Sequence, residues 1–250
     1  MEKTLNTRPL VWAHRGASAY APENTLPAFR LAAEMHADGV ELDVYLTKDD
    51  QIVVCHDNKI DRTSTGSGLI SEHTLEELRA YSFHNSMAGF ENTPIPTLAE
   101  VYELLSPTTL SVNVEIKSRD SRLPAMCCDL AKQYGMEDRV YYSSFYHPAL
   151  LAVHSVDPYL PIAPLFDCNL VYPWLYAASF GAQAIHPHHN AYRLSPEIIR
   201  ECHMRGIRVN FWTCDDPEIL STLATAGCDA LITNKPDVAI SVLKSIGLYE

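Results

Sequence analysis

Gly39-Val40-Glu41-Leu42-Asp43-Val44-Tyr45-Leu46 alternates aliphatic side chains with a second set that carries two acids, Glu41 and Asp43. Period-two alternation marks a strand, since successive side chains leave it on opposite faces, so this segment presents carboxylates on one face and Val40, Leu42 and Val44 on the other. Leu110 to Ile116 repeats the pattern, with Val112, Val114 and Ile116 opposite Asn113, Glu115 and then Lys117. Upstream, Leu10 to Ala13 is a short apolar run ending in His14-Arg15-Gly16. Pro22-Glu23-Asn24-Thr25 and an amphipathic stretch through Leu26, Phe29, Leu31, Ala32 and Met35 follow it. That order reads as strand, loop and helix.

Gln51 to Cys55 gives a further strand ending at His56-Asp57, after which the rhythm breaks. Asp61 to Ser71 is rich in Thr, Ser and Gly, and the alternation returns only after Ile95-Pro96-Thr97 with a helix through Leu98, Val101, Leu104 and Leu105. We expect an insertion over about residues 57–96, with one short helix near Thr74 to Tyr81 and with Phe83, Met87 and Phe90 packing it. Strands are then expected at Leu110 to Ile116, Val140 to Ser143, Ile162 to Phe166, Ala184 to His186, Val209 to Trp212 and Ala230 to Thr233. Helices follow near Leu123 to Tyr134, Pro148 to Val156, Val171 to Phe180, Pro196 to Arg205, Pro217 to Ala226 and Pro236 to Ser245. Grouping the Gln51 strand with its neighbour leaves eight strand-helix units in 250 residues, which predicts an α/β fold of the (β/α)8 TIM-barrel type, one domain over 1–250 with a small inserted cap. An open doubly wound sheet is the weaker alternative, because no G-x-G-x-x-G follows the first strand.

A net charge of -12 sets the summed field against polyanions and anionic membranes, which excludes nucleic acid as a partner and argues against stable membrane association. No run approaches the roughly 18 apolar residues of a membrane span, and Met1 to Pro9 is polar, so the chain reads as soluble and cytoplasmic. Seven cysteines without a C-x-x-C pair fit neither a disulfide framework nor a zinc site, and read as reduced core thiols.

A barrel builds its site at the C-terminal strand ends. There the sequence puts His14 and Arg15, Glu41 and Asp43, His56, Glu115 and Lys117, then Trp212 and Asn234. Three carboxylates without a nearby thiol make a hard oxygen site suited to Mg²⁺ or Ca²⁺. Arg15 and Lys117 beside such a cation favour an anionic substrate such as a phosphate ester, and His14 and His56 are the natural proton-transfer pair.

His14-Arg15-Gly16, Pro22-Glu23-Asn24-Thr25, Glu41-Leu42-Asp43-Val44, Cys55-His56-Asp57 with Asp61-Arg62-Thr63, Ile95-Pro96-Thr97-Leu98 and Glu115-Ile116-Lys117 occur in this order. Together they resemble the glycerophosphodiester phosphodiesterase family. The resemblance extends through Ser143-Ser144-Phe145, Trp212-Thr213 and Thr233-Asn234-Lys235-Pro236. It implies a phosphodiesterase barrel acting in lipid and glycerol metabolism, with His14 and His56 as acid and base, Glu41, Asp43 and Glu115 as ligands of a divalent metal, and Arg15 and Lys117 as phosphate-binding cations. Glu23 and Asn24 are expected to orient Arg15 or the metal ligands. Trp212 packs on the glycerol or the departing alcohol, or belongs to the core. Asn234 stands where many relatives carry Asp, a difference expected to touch only peripheral contacts.

The expected partner is a small glycerophosphodiester, and a homo-oligomer is compatible with that. The expected route is attack by the glycerol 2-hydroxyl through a cyclic phosphate. A phospholipase-like enzyme on membrane lipids and a non-catalytic barrel binding phosphometabolites are the alternatives. Among other polar residues, His147 is expected in a loop or capping role. His188 and His189 are adjacent and cannot share one strand face, so His186-Pro187-His188-His189 is not expected to form a metal cluster.

Overall fold

The structure, a computed structural model, describes residues 8–249, so most of the polar stretch Met1 to Pro9 lies outside the described residues. Strand β1 (Leu10–His14) leads through helix α1 (Leu26–Glu34) to β2 (Gly39–Leu46), and β3 (Ile52–Val54) turns back antiparallel along β2. Helix α2 (Leu75–Arg79) lies in the insertion and α3 (Leu98–Leu105) returns the chain to β4 (Ser111–Ile116). The pattern continues with α4 (Leu123–Gln133), β5 (Val140–Ser144), α5 (Pro148–Val156), β6 (Ile162–Phe166), α6 (Pro173–Ser179) and β7 (Ala184–Pro187). It ends with α7 (Asn190–Leu194), α8 (Ile198–His203), β8 (Arg208–Phe211), α9 (Pro217–Thr225), β9 (Ala230–Thr233) and α10 (Pro236–Ser245).

The parallel strands pair in the order β1-β2-β4-β5-β6-β7-β8-β9, and β9 pairs back onto β1. Eight parallel strands thus close a barrel, and β3 is the ninth strand, outside the ring, as the grouping of the Gln51 strand with its neighbour required. Val40, Leu42, Val44, Val112, Val114 and Ile116 are fully buried between the strands and the helices, against Phe29, Leu98, Val101 and Leu105. Proline sits in the first turn of α1, α4, α5, α6, α9 and α10, where its missing N–H costs no hydrogen bond. Thr97 and Glu100 cap α3 reciprocally.

Gly39 is dictated by the barrel floor: a Cβ there would come within 2.7 Å of the Ser111 carbonyl and 2.9 Å of Trp12 Cδ1. Between β3 and α3 the insertion has an apolar centre of its own, made by Val53, Cys55, Ile60, Ile70, Leu78, Phe83 and Ile95. Phe83 is buried there, whereas Met87 and Phe90 are half-buried. Its two ends are joined by the bond from Val54 N–H to the Pro96 carbonyl, 2.9 Å, and by a bridge between Val53 and Thr97.

Two expectations change. Six cysteines are buried, but Cys168 is exposed in the loop after β6, so the core-thiol reading fails there. Helix α7 is an unforeseen element, too short at Asn190–Leu194 to display helical periodicity.

Candidate active site

Strands β2 and β4 lie in register, with Glu41 beside Asn113 and Asp43 beside Glu115, while His14 on β1 is level with Glu41. The acidic faces of the two strands therefore meet inside the barrel, and one carboxylate oxygen from each of Glu41, Asp43 and Glu115 lies within 4.8 Å of the others. All three are buried. Burial and the charges of Asp43 and Glu115 hold the Glu41 carboxyl well above its ordinary range. Burial, then Asp43, pushes Glu115 up to about 7. Burial opposes ionisation of Asp43 too, but Lys117, His56, Arg15 and the Asn24 amide outweigh it and hold this acid low.

Such crowding is costly unless a cation is present, and Asp43 Oδ1 is buried without a hydrogen-bond partner among the described residues. An all-oxygen donor set with an orphaned carboxylate oxygen fits a hard divalent cation. Lys117 and Arg15 balance part of the charge. Lys117 Nζ lies 2.9 Å from Glu115 and 3.6 Å from Asp43, and Arg15 Nε lies 3.6 Å from Asp43.

Both histidines commit Nδ1 to a polar side chain, Asn234 for His14 and Asp57 for His56. Asn234 donates its amide to Asp215, which fixes its flip and turns its Oδ1 toward His14 Nδ1 at 2.7 Å. His14 must then carry its proton on Nδ1, and Nε2, 3.9 Å from Glu41, is the free basic atom. Burial first, then the Arg15 charge, pulls the His14 pKa down to about 4. His56 Nδ1 donates to Asp57 at 2.5 Å, and its Nε2 accepts from Lys117 Nζ at 3.2 Å. Asn234 is thus a direct partner of His14, not a peripheral residue, which corrects the sequence expectation.

Arg15 adopts a left-handed backbone (φ 57°), followed by Gly16 (φ 80°), whose Cβ would strike Ala28 at 2.7 Å. This turn points the Arg15 backbone N–H at Glu41 Oε2, 2.9 Å away, and its guanidinium at Glu23, also 2.9 Å away. Asn24 donates to Asp43 Oδ2 at 2.8 Å. Glu23 and Asn24 accordingly touch the residues they were expected to orient.

Three further residues, Asp57, Arg62 and Asp215, belong to this constellation beyond the set that the strand ends supply. Arg62 donates to Glu23 and to Asp57. Asp57 and Arg62 stand within quoted motifs, and that proximity was the available signal; Asp215 offers none.

On the far side of the mouth, the half-buried Trp212 donates its indole N–H to the His186 carbonyl at 2.8 Å and meets Phe145 edge to face at 5.6 Å. His188 packs on it at 5.2 Å. His188 and His189 have left β7, and their rings lie 4.1 Å apart; among the described residues only Glu41, Asp43 and Glu115 form a metal-capable group. His186 is buried inside the barrel, where burial lowers its pKa to about 3, and it accepts from Asn210. His147 makes no capping bond. It joins the Leu165 carbonyl to the Tyr176 hydroxyl instead. A cavity of about 760 Å³ at the opposite end of the barrel, lined in part by Leu10, Trp12, Tyr141, Ile207 and Arg208, contains none of the predicted site residues. Convergent side chains, not volume, mark the candidate site.

The model of the glycerophosphoryl diester phosphodiesterase family matches residues 14–238. A glycerophosphodiester phosphodiesterase of Caldanaerobacter subterraneus subsp. tengcongensis is 39% identical over 96% of this chain and 100% of its own. One from Bacillus altitudinis is 32% identical over 93% of this chain and 97% of its own. Among solved structures, an Oleispira antarctica phosphodiesterase in complex with the product sn-glycerol-3-phosphate superposes with a TM-score of 0.88 at 27% identity, covering 95% of this chain and 97% of that one.

Proposed function

The chain belongs to the glycerophosphoryl diester phosphodiesterase family, and from that premise we propose that it hydrolyses glycerophosphodiesters to glycerol 3-phosphate and an alcohol. The observation that carries this reading is the pair of imidazoles whose Nδ1 positions are committed to Asn234 and Asp57, with Nε2 of one beside Glu41 and Nε2 of the other beside Lys117. Binding alone needs cations and not two poised proton carriers. The product complex of the Oleispira antarctica relative supports the same substrate class.

Arg15 and Lys117 hold the phosphate. His14, neutral because of its burial, takes the proton of the glycerol 2-hydroxyl as that oxygen attacks phosphorus. The bond to the departing alcohol breaks in line, and His56, its Nδ1 held by Asp57, acts as the acid in its protonated form, in which Nε2 donates to the leaving oxygen in place of accepting from Lys117. A five-membered cyclic phosphate results. In the second step His56 removes a proton from water as it opens the ring, and His14 returns its proton to the glycerol oxygen. Glu41, Asp43 and Glu115 would hold Mg²⁺ or Ca²⁺, which when bound acidifies the 2-hydroxyl and offsets charge on the phosphate.

One domain with residues 57–96 as an inserted cap, and Trp212 as the wall facing the departing alcohol, complete the reading. No helix among the described residues is long and apolar enough to cross a membrane. The decisive experiment is turnover on a panel of glycerophosphodiesters carrying choline, ethanolamine or glycerol, with saturating divalent metal. Release of glycerol 3-phosphate is the expected result, and binding without turnover would favour a non-catalytic barrel.

A further inference from the structure

We propose that Arg62, on the inserted segment, is a positioning residue that holds the proton carrier His56 and the phosphate-binding Arg15 in one frame, a role that rests on the function proposed above. Its guanidinium reaches Glu23 Oε2 and Oε1 through Nη1 and Nη2, both at 2.8 Å, and Asp57 Oδ2 through Nε at 2.6 Å. Each of these carboxylates is shared with a site residue. Glu23 Oε1 also accepts from Arg15 Nη1 at 2.9 Å, and Asp57 Oδ1 accepts from His56 Nδ1 at 2.5 Å. The order Arg15, Glu23, Arg62, Asp57, His56 is therefore an unbroken chain of alternating charge-assisted bonds along one side of the mouth.

The two carboxylates come from different parts of the chain, Glu23 from the loop between β1 and α1 and Asp57 from the segment just after β3. Without Arg62 nothing among the described side-chain hydrogen bonds ties one to the other. The base of the clamp is rigid. Ile60 is fully buried in the insertion's own apolar centre and Thr63 is buried, its carbonyl accepting from the Asn85 N–H at 2.9 Å.

An exposed ion pair would contribute little, and the Arg62 side chain is 44% exposed. Here, however, the Glu23 side chain is only 10% exposed and is gripped bidentately, and a planar fork with three bonds in fixed directions constrains geometry beyond what charge alone does. Lysine offers no such fork.

The test compares wild type, Arg62→Ala and Arg62→Lys on glycerophosphocholine with saturating Mg²⁺. Partners that orient active groups typically contribute about 10–100-fold. We expect Arg62→Ala to lose turnover in that range and to raise KM severalfold, because Arg15 is loosened along with His56. Added guanidinium should restore part of the loss, and Arg62→Lys should remain impaired. A variant that is only partly unfolded lowers apparent kcat and leaves KM alone, so unchanged KM without guanidinium rescue would overturn the proposal. So would Arg62→Ala turnover within about twofold of wild type. A second readout does not need activity: the His56 Nδ1 proton should be slow to exchange by NMR in wild type and fast in Arg62→Ala and Arg62→Lys, and equal exchange overturns the clamp. Absence of wild-type turnover on the whole panel would count against the proposed function, and the exchange measurement would still decide the clamp.

Discussion

Asp43 and Glu115 stand side by side at one register of two parallel strands, and their environments divide them: the first is held ionised and the second keeps its proton up to about pH 7. A proton and a metal ion therefore compete for the same oxygens. In metal-free protein the folded state binds the Glu115 proton more tightly than the unfolded chain, whose value is near 4.5, so the contribution of Glu115 to stability should fall as pH rises from about 4.5 to about 7, against the opposite contributions of the buried His14 and His186. Metal affinity should rise over the same interval, with proton release on binding. Unfolding temperatures of wild type and Glu115→Gln across this window, with chelator and with Mg²⁺, check both, and a metal-free wild type that gains stability relative to Glu115→Gln as pH rises would refute the division.

Chelation should abolish turnover and Mg²⁺ or Ca²⁺ should restore it. Glu41→Ala and Glu115→Ala should fold, since each removes a carboxylate that burial and its neighbours disfavour, yet stay inactive at ordinary metal concentrations. Undiminished activity in excess chelator, with metal content verified by elemental analysis, would sink the metal requirement.

His14→Ala and His56→Ala should each lose about 10²- to 10⁴-fold in kcat, the range of a general acid or base, with a much smaller change in KM because Arg15 and Lys117 remain. Steady-state kinetics on the two variants suffices. A residue whose alanine variant turns over at the wild-type rate is structural.

Asn234→Asp should place a second carboxylate against His14 Nδ1 beside Asp215 and raise the His14 pKa from its depressed value. A base works only when neutral, so the acid limb of the pH–rate profile should move to higher pH. An unmoved limb would remove His14 from the role of base.

A substrate lacking the glycerol 2-hydroxyl should compete with the normal one but hardly turn over, since an attacking group within the same molecule supplies a large effective molarity. Turnover at saturation is the quantity to compare. Equal rates would leave direct attack by water.

The barrel was legible because β2 and β4 alternate so cleanly: a polar interior against an apolar sheath prints itself on the sequence as period two. The direction of β3 was not, because a run as short as Ile52–Val54 reads the same in either orientation. His14, Glu41, Asp43, His56 and Glu115 stand at or next to strand ends and could be gathered from sequence as one set. Asn234 could not be paired with His14, since 220 positions separate them and only closure of β9 onto β1 brings them together. Arg62 and Asp57 act through carboxylate contacts that no periodicity records.

The stapled ends of the inserted segment also bear on how such an enzyme changes. Residues 55–95 leave and re-enter the barrel at one point, closed by Val54 and Pro96, so lengthening the excursion raises its closure entropy only logarithmically. Arg62 divides that excursion into two regimes. The stretch up to Arg62 reaches the chemistry through side-chain contacts, whereas the stretch beyond Thr63 acts through packing, with Ile70, Leu78, Phe83 and Ile95 seating Ile60 and the Asn85 N–H holding the Thr63 carbonyl.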